Sequence, residues 1–287
     1  ISSGYTIDSW AKNDSYGTLD TTTTANPTYT IGVGDGAVTI TSKISCQNLD
    51  GSTYMQDFDT SKLCDASTTS GTLTDSRDSQ EYTVAKLADS KWWMLDNLRL
   101  GSTSTIALTP ANTNIASNFT LPASISSGFN SFTVAQINTA SKDQTITSYG
   151  SGSGKIGVYY NYCAASAGTY CFATNSGVDV PDTIIDSPYD ICPKGWRMPT
   201  NETSGEYQAL YTAYSPNLTN FRNALSTPLS GRFDDSSTSH QGSGGFFWSS
   251  TYYNGNSMRH LYVTSSDVYT GYGNYRSNGN SVRCILK

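Results

Sequence analysis

Six cysteines, Cys46, Cys64, Cys163, Cys171, Cys192 and Cys284, constrain this chain more than any other feature. Their number is even, none stands in a CxxC pair, and only two histidines accompany them. A zinc cage therefore lacks its usual ligand set. Disulfides are expected instead, and with them an oxidising, extracellular setting. Two pairings suggest themselves locally. Cys46 and Cys64 flank a loop carrying Asp57 and Asp59 and would close a small N-terminal part. Cys163 and Cys171 bracket Gly168-Thr169 and would staple a local loop. Six cysteines allow many connectivities, so the framework as a whole stays open at this point.

The remaining composition narrows the class. Charged residues make up 14% and aromatic residues 12%, with a mean hydropathy of −0.40. The polarity therefore comes from Ser, Thr, Asn, Gly and Tyr, whereas disordered chains combine few aromatics with high net charge. Tyr and Thr favour strands, so a β-rich, loop-rich fold is expected. The net charge is −6 and no basic run occurs, so neither a nucleic acid nor an anionic membrane surface is an expected partner. No segment reaches the roughly 18 apolar residues of a membrane helix, so no membrane insertion is expected. The chain begins at Ile1, which fits removal of a leader. No cofactor or metal is expected: Asp57 and Asp59 lack the ligand series of an EF-hand.

Along the chain, residues 1–28 are polar and include four consecutive threonines, Thr21 to Thr24. Such a stretch needs its own domain or a neighbouring subunit to hold it. Tyr29 to Ile40 reads as a hairpin turning at Asp35-Gly36. Residues 1–70 are expected to form a β-rich N-terminal region and residues 71–287 a second domain. Within the latter, Tyr82-Thr83-Val84 and Trp92-Trp93-Met94 read as strands joined at Asp89-Ser90. Residues 101–155 are Ser-, Thr- and Gly-rich, and Gly150 to Gly154 reads as a flexible link. That run has neither the Lys-Ser/Thr of a phosphate loop nor the spacing of a nucleophile elbow. Tyr207, Leu210, Tyr211 and Tyr214 have helical spacing, with Ser204 as N-cap, and Phe221 to Leu225 reads as a second short helix. Trp93, Trp196 and Trp248 stand in apolar surroundings and are expected in the core. The class is α+β: β-rich, with one or two short helices.

Three blocks carry a family resemblance. The first is Leu73-Thr74-Asp75-Ser76-Arg77-Asp78, continuing through Tyr82, Lys86, Trp93-Met94 and Asn97-Leu98. The second runs from Ile191 through Cys192-Pro193-Lys194-Gly195-Trp196-Arg197 to Met198-Pro199-Thr200. The third is Gly245-Phe246-Phe247-Trp248-Ser249-Ser250, ending in Ser281-Val282-Arg283-Cys284. In order and spacing these blocks resemble the Fibrobacter succinogenes major paralogous domain family, a branch of the C-type-lectin-like and formylglycine-generating-enzyme-like folds. The resemblance implies a C-type-lectin-like domain over residues 71–287, a secreted or cell-surface location, and a Cys192–Cys284 disulfide. It implies no single chemistry. The calcium-dependent sugar signatures of true C-type lectins are absent, and Trp92 stands where many relatives carry a small residue or Cys. No cysteine is left over for the reactive pair of the enzyme branch.

Function is expected in residues 251–281. Of these 31 residues, 20 are Tyr, Asn, Ser or Gly, the types that dominate antibody paratopes. Tyr gives a large amphipathic contact at low rotamer cost, and the small polar residues adapt their hydrogen bonds. The expected binding residues are Tyr252, Tyr253, Asn254, Asn256, Arg259, His260, Tyr262, Tyr269, Tyr272, Asn274, Tyr275, Arg276 and Asn278. This composition is also similar to the variable regions of diversity-generating retroelement proteins. The plainer reading is that these are ordinary strand and turn residues. His240 and His260 stand in polar surroundings without a nucleophile or an acidic orienter nearby, and are expected on the solvated surface. The adjacent pair Asp234-Asp235 would face opposite ways in a strand. The expectation is thus a non-enzymatic protein that adheres to, or recognises, a protein or glycan surface ligand. The alternative is a structural subunit of an extracellular filament, pilus or surface layer, self-assembled through its N-terminal segment.

Overall fold

The structure, a computed structural model, describes residues 6–12, 18–19, 29–30, 40–149, 153–172 and 186–287. It is β-rich with few, short helices: 36% strand against 11% helix. The principal sheet has six strands in the order Trp196–Arg197, Ile285–Leu286, Trp92–Met94, Glu81–Lys86, Ser70–Thr74 and Asp50–Tyr54. All pairings in it are antiparallel except the edge pair Asp50–Tyr54 with Ser70–Thr74.

Alternation explains how this sheet is buried. In Glu81–Lys86, Tyr82 and Val84 point into the core while Glu81 and Thr83 face solvent, the period-2 pattern of a strand. The next turn is the one expected at Asp89-Ser90. Ser90 takes φ 65°, and Asp89 Oδ1 accepts from Lys91 N at 3.2 Å. The strand after it is buried on both faces, with Trp92 and Trp93 sent to opposite sides. Trp92 packs with Phe58, which in turn stacks on Trp196, in the larger core. Trp93 packs against Tyr207 in a second core that also holds Leu210, Phe221, Phe247 and Leu261.

Both expected helices are present, at Glu206–Ala213 and Leu218–Ala224. Asn217 caps the second by accepting from Asn220 N. Ser204 does not cap the first: Gly205 holds the N-cap position, and Glu206 N is satisfied by Thr200 Oγ1 at 3.0 Å. A three-stranded antiparallel meander, Gly244–Asn254, Ser257–Thr264 and Val268–Tyr275, completes the frame. The disulfides are Cys46–Cys64, Cys163–Cys171 and Cys192–Cys284.

The three sequence blocks meet through buried arginines. Arg77 pairs with Asp75 and donates to Ile191 O at 2.7 Å, joining the first block to the second. Arg283 donates to Asn97 Oδ1 at 2.9 Å, and Asn97 Nδ2 reaches Ser281 Oγ at 3.1 Å, joining the first to the third.

Two expectations change. The division at 70/71 falls inside the principal sheet. Met55, Phe58 and Leu63 are buried in the same core as Trp196, and Trp196 Nε1 donates to Met55 O at 2.9 Å. Of the hairpin expected from Tyr29 to Ile40, only Tyr29–Thr30 and Ile40 are among the described residues, so that expectation lies largely outside them. Ile40–Ser45 pairs with Thr6–Lys12, and Tyr29–Thr30 with Thr18–Leu19, so the ribbons are nested. The turn itself and the four threonines lie outside the described residues. The end of the supposed link at Gly150 to Gly154 is a strand: Ser153–Lys155 pairs with Thr145–Thr147.

Candidate binding surface

The meander presents one end of its strands to solvent. Of the five large apolar side chains exposed among the described residues, three lie here: Tyr253 (48%), Tyr272 (56%) and Tyr275 (58%). Local geometry positions two of them. The Arg259 guanidinium lies over the Tyr253 ring, 5.1 Å from its centre, and donates to Gly271 O at 2.6 Å. Gly271 has φ +90°, open to glycine at little cost. Gly273 gives the Tyr253 ring its space, since a Cβ there would stand 2.3 Å from the ring. Tyr272 meets Tyr269 edge-on, and Tyr269 stacks on Tyr262, which stacks on Phe246. The aromatic row thus crosses all three strands, as cross-strand neighbours on one face do.

Beside Tyr275 lies a groove of about 470 Å³ lined by Arg232, Asn254, Asn256, Ser257, Gly273, Asn274, Tyr275 and Asn278. Its wall is braced by an amide chain. Asn278 Nδ2 donates to Asn274 Oδ1 at 2.7 Å, and Asn274 Nδ2 donates to Asn280 Oδ1 at 3.0 Å. Asn256 keeps a buried Oδ1 with no hydrogen-bond partner. The groove thus offers amide donors and acceptors, one guanidinium and a phenol ring. Such groups can hold a polar, hydroxyl- or amide-bearing ligand.

The expected binding residues therefore separate. Tyr253, Asn254, Tyr272 and Tyr275 are exposed, while Tyr252, Asn256, Arg259, Tyr262 and Tyr269 are half-buried. Asn274 and Asn278 are buried yet form the groove wall. His260 and Arg276 are corrected: both are structural. His260 is 3% exposed and stacks on Phe246, and its Nδ1 lies 2.9 Å from Tyr272 O. A carbonyl only accepts, so Nδ1 carries the proton. Burial pushes this imidazole down to about 4, against the opposing pull of the Tyr272 carbonyl. His240, in contrast, is exposed at the surface. Arg276 is fully buried. It donates to Tyr170 O at 3.1 Å and Gly255 O at 2.7 Å and lies over the Phe172 ring. It anchors the meander tip to the Cys163–Cys171 loop and offers nothing to a ligand.

Arg232 was missing from the expected set. It lies outside the Tyr/Asn-rich segment and reaches the groove because Phe233 pairs with Gly279. No composition signal marks it. Among the described residues, no group of three or more His, Cys, Asp or Glu could hold a metal ion.

No family model, curated protein or solved structure matches this chain.

Proposed function

We propose that this is a secreted or cell-surface, non-enzymatic recognition protein. It carries a C-type-lectin-like domain and engages a protein or glycan surface ligand through the meander tip. The observation that carries this reading is the exposure of Tyr253, Tyr272 and Tyr275 on one meander, where Tyr275 lines an amide-rich groove and the Tyr253 ring packs on Gly273 of its lining. An exposed ring fixed by its neighbours loses little entropy on contact, and the amides supply orientation. Three disulfides and the absence, among the described residues, of a helix long and apolar enough to cross a membrane are compatible with an extracellular place. The test is binding of the purified protein to glycan and cell-surface protein arrays, repeated with Tyr253, Tyr272 and Tyr275 all replaced by Ala. Loss of the wild-type signal with unchanged thermal unfolding supports the face. Undiminished binding by the folded triple variant removes it.

The structural-subunit reading is favoured by one observation. Val268–Tyr275 is the last strand of its sheet, and among the described residues its outer backbone edge pairs with no other strand. Such an edge can accept a strand from a second chain. Electron microscopy with light scattering of the natively isolated protein separates the two readings, since polymers support the subunit and a monodisperse monomer counts against it.

A further inference from the structure

Away from the meander tip, Lys287 places its Nζ against the side-chain carbonyl oxygen of Asn114. The other end of that amide, Nδ2, donates to Asp190 Oδ2 at 3.0 Å. An amine, a carboxamide and a carboxyl thus meet in one row. Asn114 is 3% exposed and Asp190 1%.

All three residues are held from the backbone. Asn114 N donates to Cys192 O, and Asp190 N donates to Asn114 O, both at 3.0 Å. Lys287 N donates to Gly195 O at 3.0 Å. The Asp190 carboxylate also accepts from Cys192 N at 2.9 Å and Met198 N at 2.8 Å. The Cys192–Cys284 disulfide closes the same neighbourhood. Neither the recognition surface nor the meander uses any of these side chains.

We propose that Lys287 Nζ and Asn114 Cγ join in an intramolecular isopeptide bond, with Asp190 as the proton carrier. The lone pair of the neutral amine adds to Cγ. The Cγ–Nδ2 bond then breaks and the nitrogen leaves as ammonia. Its third hydrogen is the one that Nζ gives up, relayed by the Asp190 carboxyl already in contact with Nδ2. One amide replaces another, so no oxidant, reductant or water is consumed. Fixing the reactants side by side replaces a bimolecular encounter with an intramolecular step.

The electrostatics run in the required direction. Lys287 is itself exposed as a residue; partial desolvation of its amine, with Lys194 and Arg197 nearby, lowers it below its usual range against the pull of Asp190. Burial pushes the Asp190 carboxyl up to about 6, where it can both take and give a proton near neutrality. The bond would fasten the last strand, Ile285–Leu286, into the principal sheet by a link that reductants cannot open.

The test is a peptide map of the natively isolated, full-length protein after reduction and alkylation. The expected result is one joined species containing Asn114 and Lys287, lighter by one ammonia than the two peptides together. Lys287→Arg, which keeps the charge but offers no nucleophilic amine, should abolish that species while the near-ultraviolet circular dichroism stays unchanged. Asp190→Asn should slow its formation about a hundredfold in refolded protein. A folded wild-type protein whose Asn114 and Lys287 peptides run separately overturns the proposal. So does an ammonia loss that maps to Asn254-Gly255 or Asn278-Gly279, where succinimide formation gives the same mass change.

Discussion

Arg77 and Asp75 form an ion pair shielded from water on both sides, with Nη2 2.6 Å from Oδ2 and Nε 2.9 Å from Oδ1. Side-chain exposure is 1% and 0%. Burial alone would raise the Asp75 carboxyl, but Arg77 and the Gln56 amide outweigh it and hold the group below its usual range. The remaining guanidinium nitrogen bridges to Ile191 O at 2.7 Å, so the pair is also a joint between distant segments. Removing one partner strands a buried charge, which typically costs about 3–5 kcal/mol. Arg77→Met should therefore unfold at markedly lower urea concentration than wild type. The double variant Arg77→Met, Asp75→Leu should recover much of that loss. Equilibrium urea unfolding of the three proteins checks both statements.

Acid should weaken the protein through Glu206. Burial would raise this carboxyl, yet Arg197 (2.5 and 2.6 Å) and Lys91 (2.6 Å) hold it at about 2, against an unfolded value of 4.5. Between those values the unfolded chain takes up a proton that the folded chain refuses. The stabilisation is thus complete above pH 4.5 and is lost as pH falls toward 2, by about 3 kcal/mol at most. Glu206→Gln should lose stability at pH 7 and show a flatter pH dependence over that window, measured by urea unfolding at a series of pH values.

His260 adds a second, higher window. Its folded value of about 4 lies below the unfolded 6.5, so the unfolded chain again binds the extra proton first. Stability is complete above pH 6.5 and falls by about 3 kcal/mol as pH drops toward 4. Asp190, pushed up to about 6, acts with the opposite sign over part of this range. The readout is therefore the difference between wild type and His260→Phe, not the bare curve. That difference should shrink or reverse as pH falls from 7 to 4.5, and a pH-independent difference would refute a neutral buried imidazole.

Gly273→Ala should separate binding from stability. The new Cβ would stand 2.3 Å from the Tyr253 ring, and an exposed ring can swing outward to relieve this. The swing breaks the Arg259 contact over the ring. Ligand binding at the meander tip should fall while the thermal midpoint moves little. Unchanged binding would show that the Tyr253 position does not matter.

Much of the local structure was legible because its causes are local. Tyr82 and Val84 alternate with polar residues, Asp89-Ser90 offers turn chemistry, and Tyr207, Leu210 and Tyr211 share a helical face. Each of these became the expected element. The short Cys163–Cys171 and Cys46–Cys64 spacings likewise matched their disulfides, whereas Cys192–Cys284 rested on family resemblance alone. The Ser204 cap failed because Thr200, brought back by the preceding loop, reached Glu206 N instead.

Long-range packing decided the rest. The Tyr/Asn-rich composition of residues 251–281 singled out one segment, but composition has no direction. Within one strand His260 turns inward onto Phe246, while Arg259 turns to the Tyr253 side. Arg276 looks like a surface anchor in sequence. It is buried because carbonyls of Tyr170 and Gly255, far from it in the chain, satisfy its nitrogens. Residues 46–63 look separate from the larger C-terminal part, yet they supply a sheet edge and core side chains to it. The sequence by itself determined the β-rich class, the local turns and helices and the Tyr/Asn-rich segment, since these arise from periodicity and composition over a few positions. Which of those residues meet solvent, where the amide groove opens and which amine meets which amide were decided only by tertiary structure. Strand pairing brings together groups that no sequence spacing relates.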